Sequence, residues 1–177
     1  MSKRAEILSL ANRELQEKGV GSLSFRELAA KLGIKSSSVH YYFPQKDDLI
    51  DALAEDYAHN VFEAVKARTE KLASGKPRLI ALMDIIHENI QNRVCTAGIL
   101  AVESAYVSDT TRATIGRFFE NLLAWIKSEL KALGKSEKET QILGPVILTS
   151  IEGSLMLDSL ETQSRYLNKL RDYIASL

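Results

Sequence analysis

The chain has 177 residues, enough for one domain or two small ones, with 45% hydrophobic residues, 26% charged residues and no net charge. No run of about eighteen purely apolar residues and no signal peptide occurs, so a cytoplasmic location with no membrane partner is expected. One cysteine excludes an internal disulfide framework and a cysteine metal cluster, and three prolines leave long helices unbroken.

The first helix is expected over residues 2–18, with Ile7, Leu8, Ala11 and Leu15 as its buried stripe. Ser24 caps a second, short helix, and Glu27 three residues on completes a capping box. Leu28, Ala29 and Leu32 are its apolar face. Gly33 suits a left-handed C-cap, and Ile34 plugs the turn into the core. A serine of the Ser36-Ser37-Ser38 run caps a third helix. Val39 and Phe43, four apart, face inward, and Pro44 ends the helix near Phe43. Two short helices around a glycine turn make a helix-turn-helix DNA reader.

A fourth helix starts at Asp47, with acidic residues where the helix dipole prefers them. It carries Leu49, Leu53, Tyr57, Val61 and Val65 to about residue 72 and connects reader to body. Ser74-Gly75-Lys76-Pro77 breaks the chain, and Pro77 fits the first turn of a helix reaching about residue 93. A short helix covers 97–106, and Val107-Ser108-Asp109 is a capped turn. A long helix follows over 109–133 and stops at Gly134. The Ser136 to Glu139 capping box opens a helix to about residue 160, with a kink expected at Gly144-Pro145. The last helix covers about 163–176. The fold class is therefore all-α, with about nine helices in two domains: a three-helix DNA-binding domain, 1–47, and a helical ligand-binding and dimerisation domain, 48–177.

Charge is distributed unevenly. Residues 1–46 carry eight basic and four acidic side chains, and the remainder carries 15 basic and 19 acidic. The basic excess lies on the reader, where phosphate attraction needs it.

The DNA contacts expected from position are Ser36, Ser37 and Ser38 at the start of the reading helix, Lys35 and His40 toward bases or backbone, and Tyr41 and Tyr42 toward phosphate. Ser24 and Arg26 on the preceding helix and Lys46, a phosphate clamp, complete the set. The serines also read as plain caps, and one of the two tyrosines as a core residue.

The penultimate helix is apolar almost all round, through Ile142, Leu143, Val146, Ile147, Leu148, Ile151, Leu155, Met156 and Leu157. Such a helix must be buried on all sides. A homodimer through the last two helices is expected, with Ile147, Ile151, Leu155, Leu167, Leu170 and Ile174 at the interface. The other reading is a helix buried within one subunit.

A small-molecule effector is expected in the body, between the fourth and seventh helices. Candidate lining residues are Tyr57, Phe62, Met83, His87, Cys95, Glu103, Tyr106, Phe118, Trp125 and Glu152, and each reads equally as core. His87 and Glu103 are polar groups on mostly apolar faces and need partners. Cys95, near a helix N-terminus, reads as a small buried thiol or as a redox sensor. No nucleophile elbow, metal motif or phosphate loop appears, so no catalytic residue, metal or cofactor is expected.

From about residue 5 to 53 the chain resembles the TetR/AcrR family of one-component transcriptional regulators. The resemblance rests on Ala11-Asn12 in the first helix, Lys18-Gly19 at its end, Arg26-Glu27-Leu28-Ala29, Leu32-Gly33-Ile34, the Tyr41-Tyr42-Phe43 cluster, and Phe43-Pro44-Gln45-Lys46-Asp47-Asp48-Leu49. The family usually has tyrosine where this chain has His40. The resemblance implies dimerisation through the last two helices. It implies a homodimeric repressor on a palindromic operator, released by a small molecule. An activator of the same fold and a nonspecific architectural DNA-binding protein are the other readings.

Overall fold

The computed structural model describes residues 2–90, 93–161 and 163–177. Its helices are α1 (Lys3–Lys18), α2 (Phe25–Lys31), α3 (Ser36–Tyr42), α4 (Lys46–Thr69), α5 (Lys76–Ile90), α6 (Thr96–Val102), α7 (Asp109–Ala132), α8 (Glu137–Asp158) and α9 (Arg165–Ser176). Short 3-10 turns follow α1 and α6, at Val20–Ser22 and Ser104–Tyr106. No strand occurs among the described residues. The fifth helix is described to Ile90, and residues 91 and 92 of the expected extension lie outside the described residues.

The residues form two compact units. The first comprises 1–59 together with 96–116, and the second 60–95 with 117–177. In the first, α1 packs on α2 and α6, and α2 packs on α3. Ile7, Leu15, Leu28, Val39, Phe43, Leu49 and Leu53 are its buried core. The C-terminus of α2 has a Schellman cap. Ile34 N–H donates to Ala29 O, Gly33 N–H donates to Ala30 O, and Gly33 sits at φ +65°. That left-handed residue turns the chain from α2 into the reading helix.

The later stretch of this unit is tied to α1 by side chains. The Thr96 hydroxyl donates to Asn12 Oδ1 at 2.7 Å. Val20 N–H, just past α1, donates to Glu103 Oε2 at 2.8 Å. Gly19 lies at φ +78°, and a Cβ there would collide with the Glu103 carboxylate. Ser108 and Thr111 at the start of α7 both donate hydroxyl hydrogens to Asp51 of α4.

In the second unit α9 packs on both α8 and α5. Carboxylates from neighbouring helices satisfy orphan helix N–H groups there. Asp158 accepts from Tyr166 N–H at 2.8 Å and Leu167 N–H at 2.9 Å. Glu129 accepts from Gly75 N–H at 2.6 Å and from Arg78 Nη1 at 3.4 Å. The capping box of α8 is complete: Ser136 and Glu139 each accept from the other's backbone N–H.

One expectation needs correction. The N-cap of α3 is Lys35, with no side-chain cap, so none of the three serines caps that helix. All three lie in its first turn, because Lys35 is the last extended residue. Helix α8 is long and apolar enough, by length and composition alone, to cross a membrane. Its aliphatic residues are interleaved with small and hydroxyl ones, so no purely apolar run announces it.

Candidate functional site

The candidate reading surface is built on α2, α3 and the start of α4. Ser24 caps α2 by accepting from Glu27 N–H at 3.5 Å. Val39 and Phe43 are buried and hold α3 to the core, which turns its other face to solvent. Ser37 and Lys35 are exposed, and Ser36 and Ser38 are half-buried. Both tyrosines are outside: Tyr41 is 82% exposed and Tyr42 37%. They meet edge to face at 5.1 Å between centroids, so neither is the core residue that the pattern allowed.

His40 is exposed as well, but its ring is held. It meets Phe25 of α2 edge to face at 4.7 Å, and its Nδ1 lies 3.4 Å from the Pro44 carbonyl oxygen. With Nδ1–H donating there, a neutral ring keeps Nε2 as an acceptor on its other side. Arg26 is exposed on α2, and Lys46 is half-buried as the first residue of α4. Asp48 accepts from Gln45 N–H at 2.8 Å and so orders the turn that presents Lys46.

Sequence reasoning passed over what braces this surface from behind. Glu14 of α1 is buried and accepts from Lys31 of α2 at 2.5 Å and from Lys18 at 3.0 Å. Lys31 first and Lys18 second hold its carboxyl below the usual carboxylate range. A glutamate on an otherwise apolar stripe with lysine four residues on was the available signal.

The candidate effector residues fall into separate groups. Phe62 and Phe118 meet at 5.7 Å, and Phe119 joins Phe118 at 5.2 Å. The buried Cys95 thiol is hydrogen-bonded to Glu152. Burial pushes the Glu152 carboxyl up to about 7, and the Cys95 bond only partly offsets that rise. Met83 is fully buried, Trp125 and Tyr57 are half-buried. Tyr57, Glu103 and Tyr106 belong to the other unit; Glu103 is engaged with Val20, and Tyr106 is 77% exposed. His87 is exposed rather than set on an apolar face.

The expected dimer residues also need correction. Ile147, Ile151, Leu155, Leu167 and Ile174 are buried by the chain itself, and Leu170 is half-buried. They face the interior of one subunit, in which α9 packs on α8. The apolar residues left outside are Ile142, Val146, Met156 and Leu157 on α8, Leu160 just past its end, and Tyr166 and Tyr173 on α9.

Comparison with known proteins agrees with this layout. Residues 7–53 match the model of the bacterial regulatory proteins, tetR family. Residues 79–173 match the model of the C-terminal domain of LmrA/YxaF-like transcriptional regulators, which covers more than half of the chain. The chain belongs to the TetR family of transcriptional regulators. As a TetR-family protein it is a DNA-binding transcriptional regulator and not an enzyme.

Its relatives include the HTH-type transcriptional regulator YxaF of Bacillus subtilis, 24% identical over 159 residues, which span 87% of this chain and 83% of that one. The HTH-type transcriptional repressor KstR2 of Mycobacterium tuberculosis is 28% identical over 91 residues, 51% of this chain and 46% of that one. A TetR transcriptional regulator from Legionella pneumophila shares the fold at a TM-score of 0.92, with 24% identity and coverage of 99% and 97% of the two chains.

Proposed function

We propose that this TetR-family regulator is a cytoplasmic homodimeric repressor that binds a palindromic operator and is released by a small molecule. The observation that carries the dimer is the apolar stripe left uncovered on α8, continued by two tyrosines on α9. Ile142, Val146, Thr149, Gly153 and Met156 recur at intervals of three or four along one helix face, with small residues at the middle where two helices approach closely. A second copy of the same stripe covers it by two-fold symmetry, and α8 and α9 with their mates then form a four-helix bundle.

Two-fold pairing gives the operator its form. Each head offers Ser36, Ser37, Ser38, His40, Tyr41 and Tyr42 from α3, flanked by Lys35, Arg26, Ser24 and Lys46. Paired reading helices enter successive major grooves only when about 34 Å apart. Short hydroxyls and tyrosines mainly fix position on phosphate, so much of the sequence preference falls to Lys35 and His40.

An effector is read by the body. Glu152 and Cys95 supply a carboxyl beside a thiol in a buried setting, and the Phe62, Phe118 and Phe119 rings form a separate aromatic group of the same unit. That combination suits a mostly apolar ligand with one hydrogen-bonding or cationic group. The ligand shifts the dimer toward release by as much as its affinity differs between the two states.

The test is selection of genomic fragments by the purified full-length protein at moderate salt. Inverted half-sites whose centres are one helical turn apart, or a multiple of it, are expected. Fragments with single, unpaired half-sites would end the dimeric reading.

A further inference from the structure

A groove of about 350 Å³ lies beside the reading helix, lined by Lys3 of α1 together with Ile34, Ser37, Ser38, Tyr41 and Tyr42. Sequence position alone gives Lys3 no part in DNA contact, since it precedes the reading helix by more than thirty residues. The fold brings it there by packing α1 against α2, which in turn packs on α3.

The lining has one chemical character. It holds an ammonium group and four hydroxyls, with Ile34 as the apolar floor and no carboxylate among the lining residues. Every polar side chain in it can donate a hydrogen bond to an anionic oxygen. Four of the six lining residues belong to α3, the helix already assigned to DNA. We propose that this groove seats a phosphate of the DNA backbone, with Lys3 as its cation and the Ser37, Ser38, Tyr41 and Tyr42 hydroxyls as its donors.

Without DNA the ammonium is kept in place by Glu6, one helical turn along α1, at 2.6 Å. The pair is partly exposed, with 39% and 35% of the two side chains accessible. An exposed pair of this kind is weak and screened, and it competes poorly with a phosphate ringed by four hydroxyls. Because Lys3 carries three N–H donors, it can also hold Glu6 and the phosphate together. This contact is independent of base identity, so it fixes the head on the duplex without reading sequence.

The inference rests on the DNA-binding reading and is tested separately from it. Binding of the full-length protein to a selected operator fragment and to unrelated DNA is measured across a salt series. Lys3→Gln is expected to weaken both about tenfold at ~0.1 M salt and to lower the salt slope by about one, the share of one phosphate contact. Glu6→Gln is expected to strengthen both about twofold by releasing the ammonium. Thermal melts of both variants should match the parent, since both side chains are at the surface.

An unchanged slope for Lys3→Gln, while Lys46→Ala lowers it, overturns the groove and leaves the reader intact. Inorganic phosphate is the control at constant ionic strength. Phosphate binding lost in Lys3→Gln with no change in DNA slope makes the groove a free-anion site and overturns the proposal. Failure of the parent protein to bind any DNA sinks the functional reading instead.

Discussion

The helices α3 and α8 both leave large side chains in solvent, and they do so with opposite chemistry. On α3 the exposed groups end in hydroxyls or a ring nitrogen: Ser37, His40, Tyr41 and Tyr42. On α8 they are aliphatic or thioether: Ile142, Val146, Met156 and Leu157. A surface of donors beside lysines fits an anionic polymer that stays hydrated. A surface of hydrocarbon fits only something equally apolar, and a second copy of this chain is the partner proposed for it. The contrast separates two questions that exposure alone runs together, namely what is free and what would cover it.

The contrast is broken most severely on α8, where one helix has two apolar faces. Ile151→Glu places a charge at a position only 1% exposed, inside a single subunit. It should cost about 3–5 kcal/mol and lower the melting temperature at any protein concentration. Val146→Glu, on the uncovered face, should give monomers in analytical ultracentrifugation with secondary structure retained. Monomers that remain folded with Ile151→Glu would assign the two faces the other way round.

Next in size is Glu152. Its carboxyl stands at about 7 in the folded chain against 4.5 when free, so the folded state holds the proton more tightly. Stability is then lost as pH rises from about 4.5 to about 7, and above 7 the deficit is constant. Glu152→Gln should remove that loss, raising stability at pH 8 by up to about 3 kcal/mol with little change near pH 4.5. Denaturant titrations at the two pH values check it, and equal effects at both would place the group in water.

Smaller effects belong to the head. Lys46→Ala should lower the salt slope of binding by about one on every DNA, and an unaltered slope would take Lys46 out of the contact set. Ser24→Ala removes the cap of α2 and should cost about 1 kcal/mol in denaturant unfolding. A larger loss would mean that α2 is braced by little else than its cap, contrary to the Glu14–Lys31 pair.

What was legible in the sequence was local. The Gly33 turn, the Ser24 cap, the Ser136 to Glu139 box and the inward pair Val39 and Phe43 each involve residues within five positions, so spacing alone specifies them. The cap of α3 was misread because three serines in a row offer three candidates and only backbone geometry selects among them; Lys35 is the residue still extended. The phase of α8 was illegible for a related reason. Apolar residues nearly encircle it, and which of them the subunit keeps depends on where α9 and α7 settle. Likewise Asp158, Glu129 and Glu103 look like ordinary surface acids until the fold delivers a backbone N–H from elsewhere. The reading surface was easier, because its residues are consecutive, yet Lys3 escaped notice since only packing carries α1 to that spot.

The bond from Val20 to Glu103 bears on how the head is born. A carboxylate made more than eighty residues later secures the end of α1, so the head cannot be finished from its opening stretch alone. At about 5–20 residues per second, the ribosome leaves that stretch waiting for several seconds before Glu103 emerges. During that interval the nascent head is a partner short, and nascent chains cut before residue 103 should be digested faster by protease than those released after residue 116.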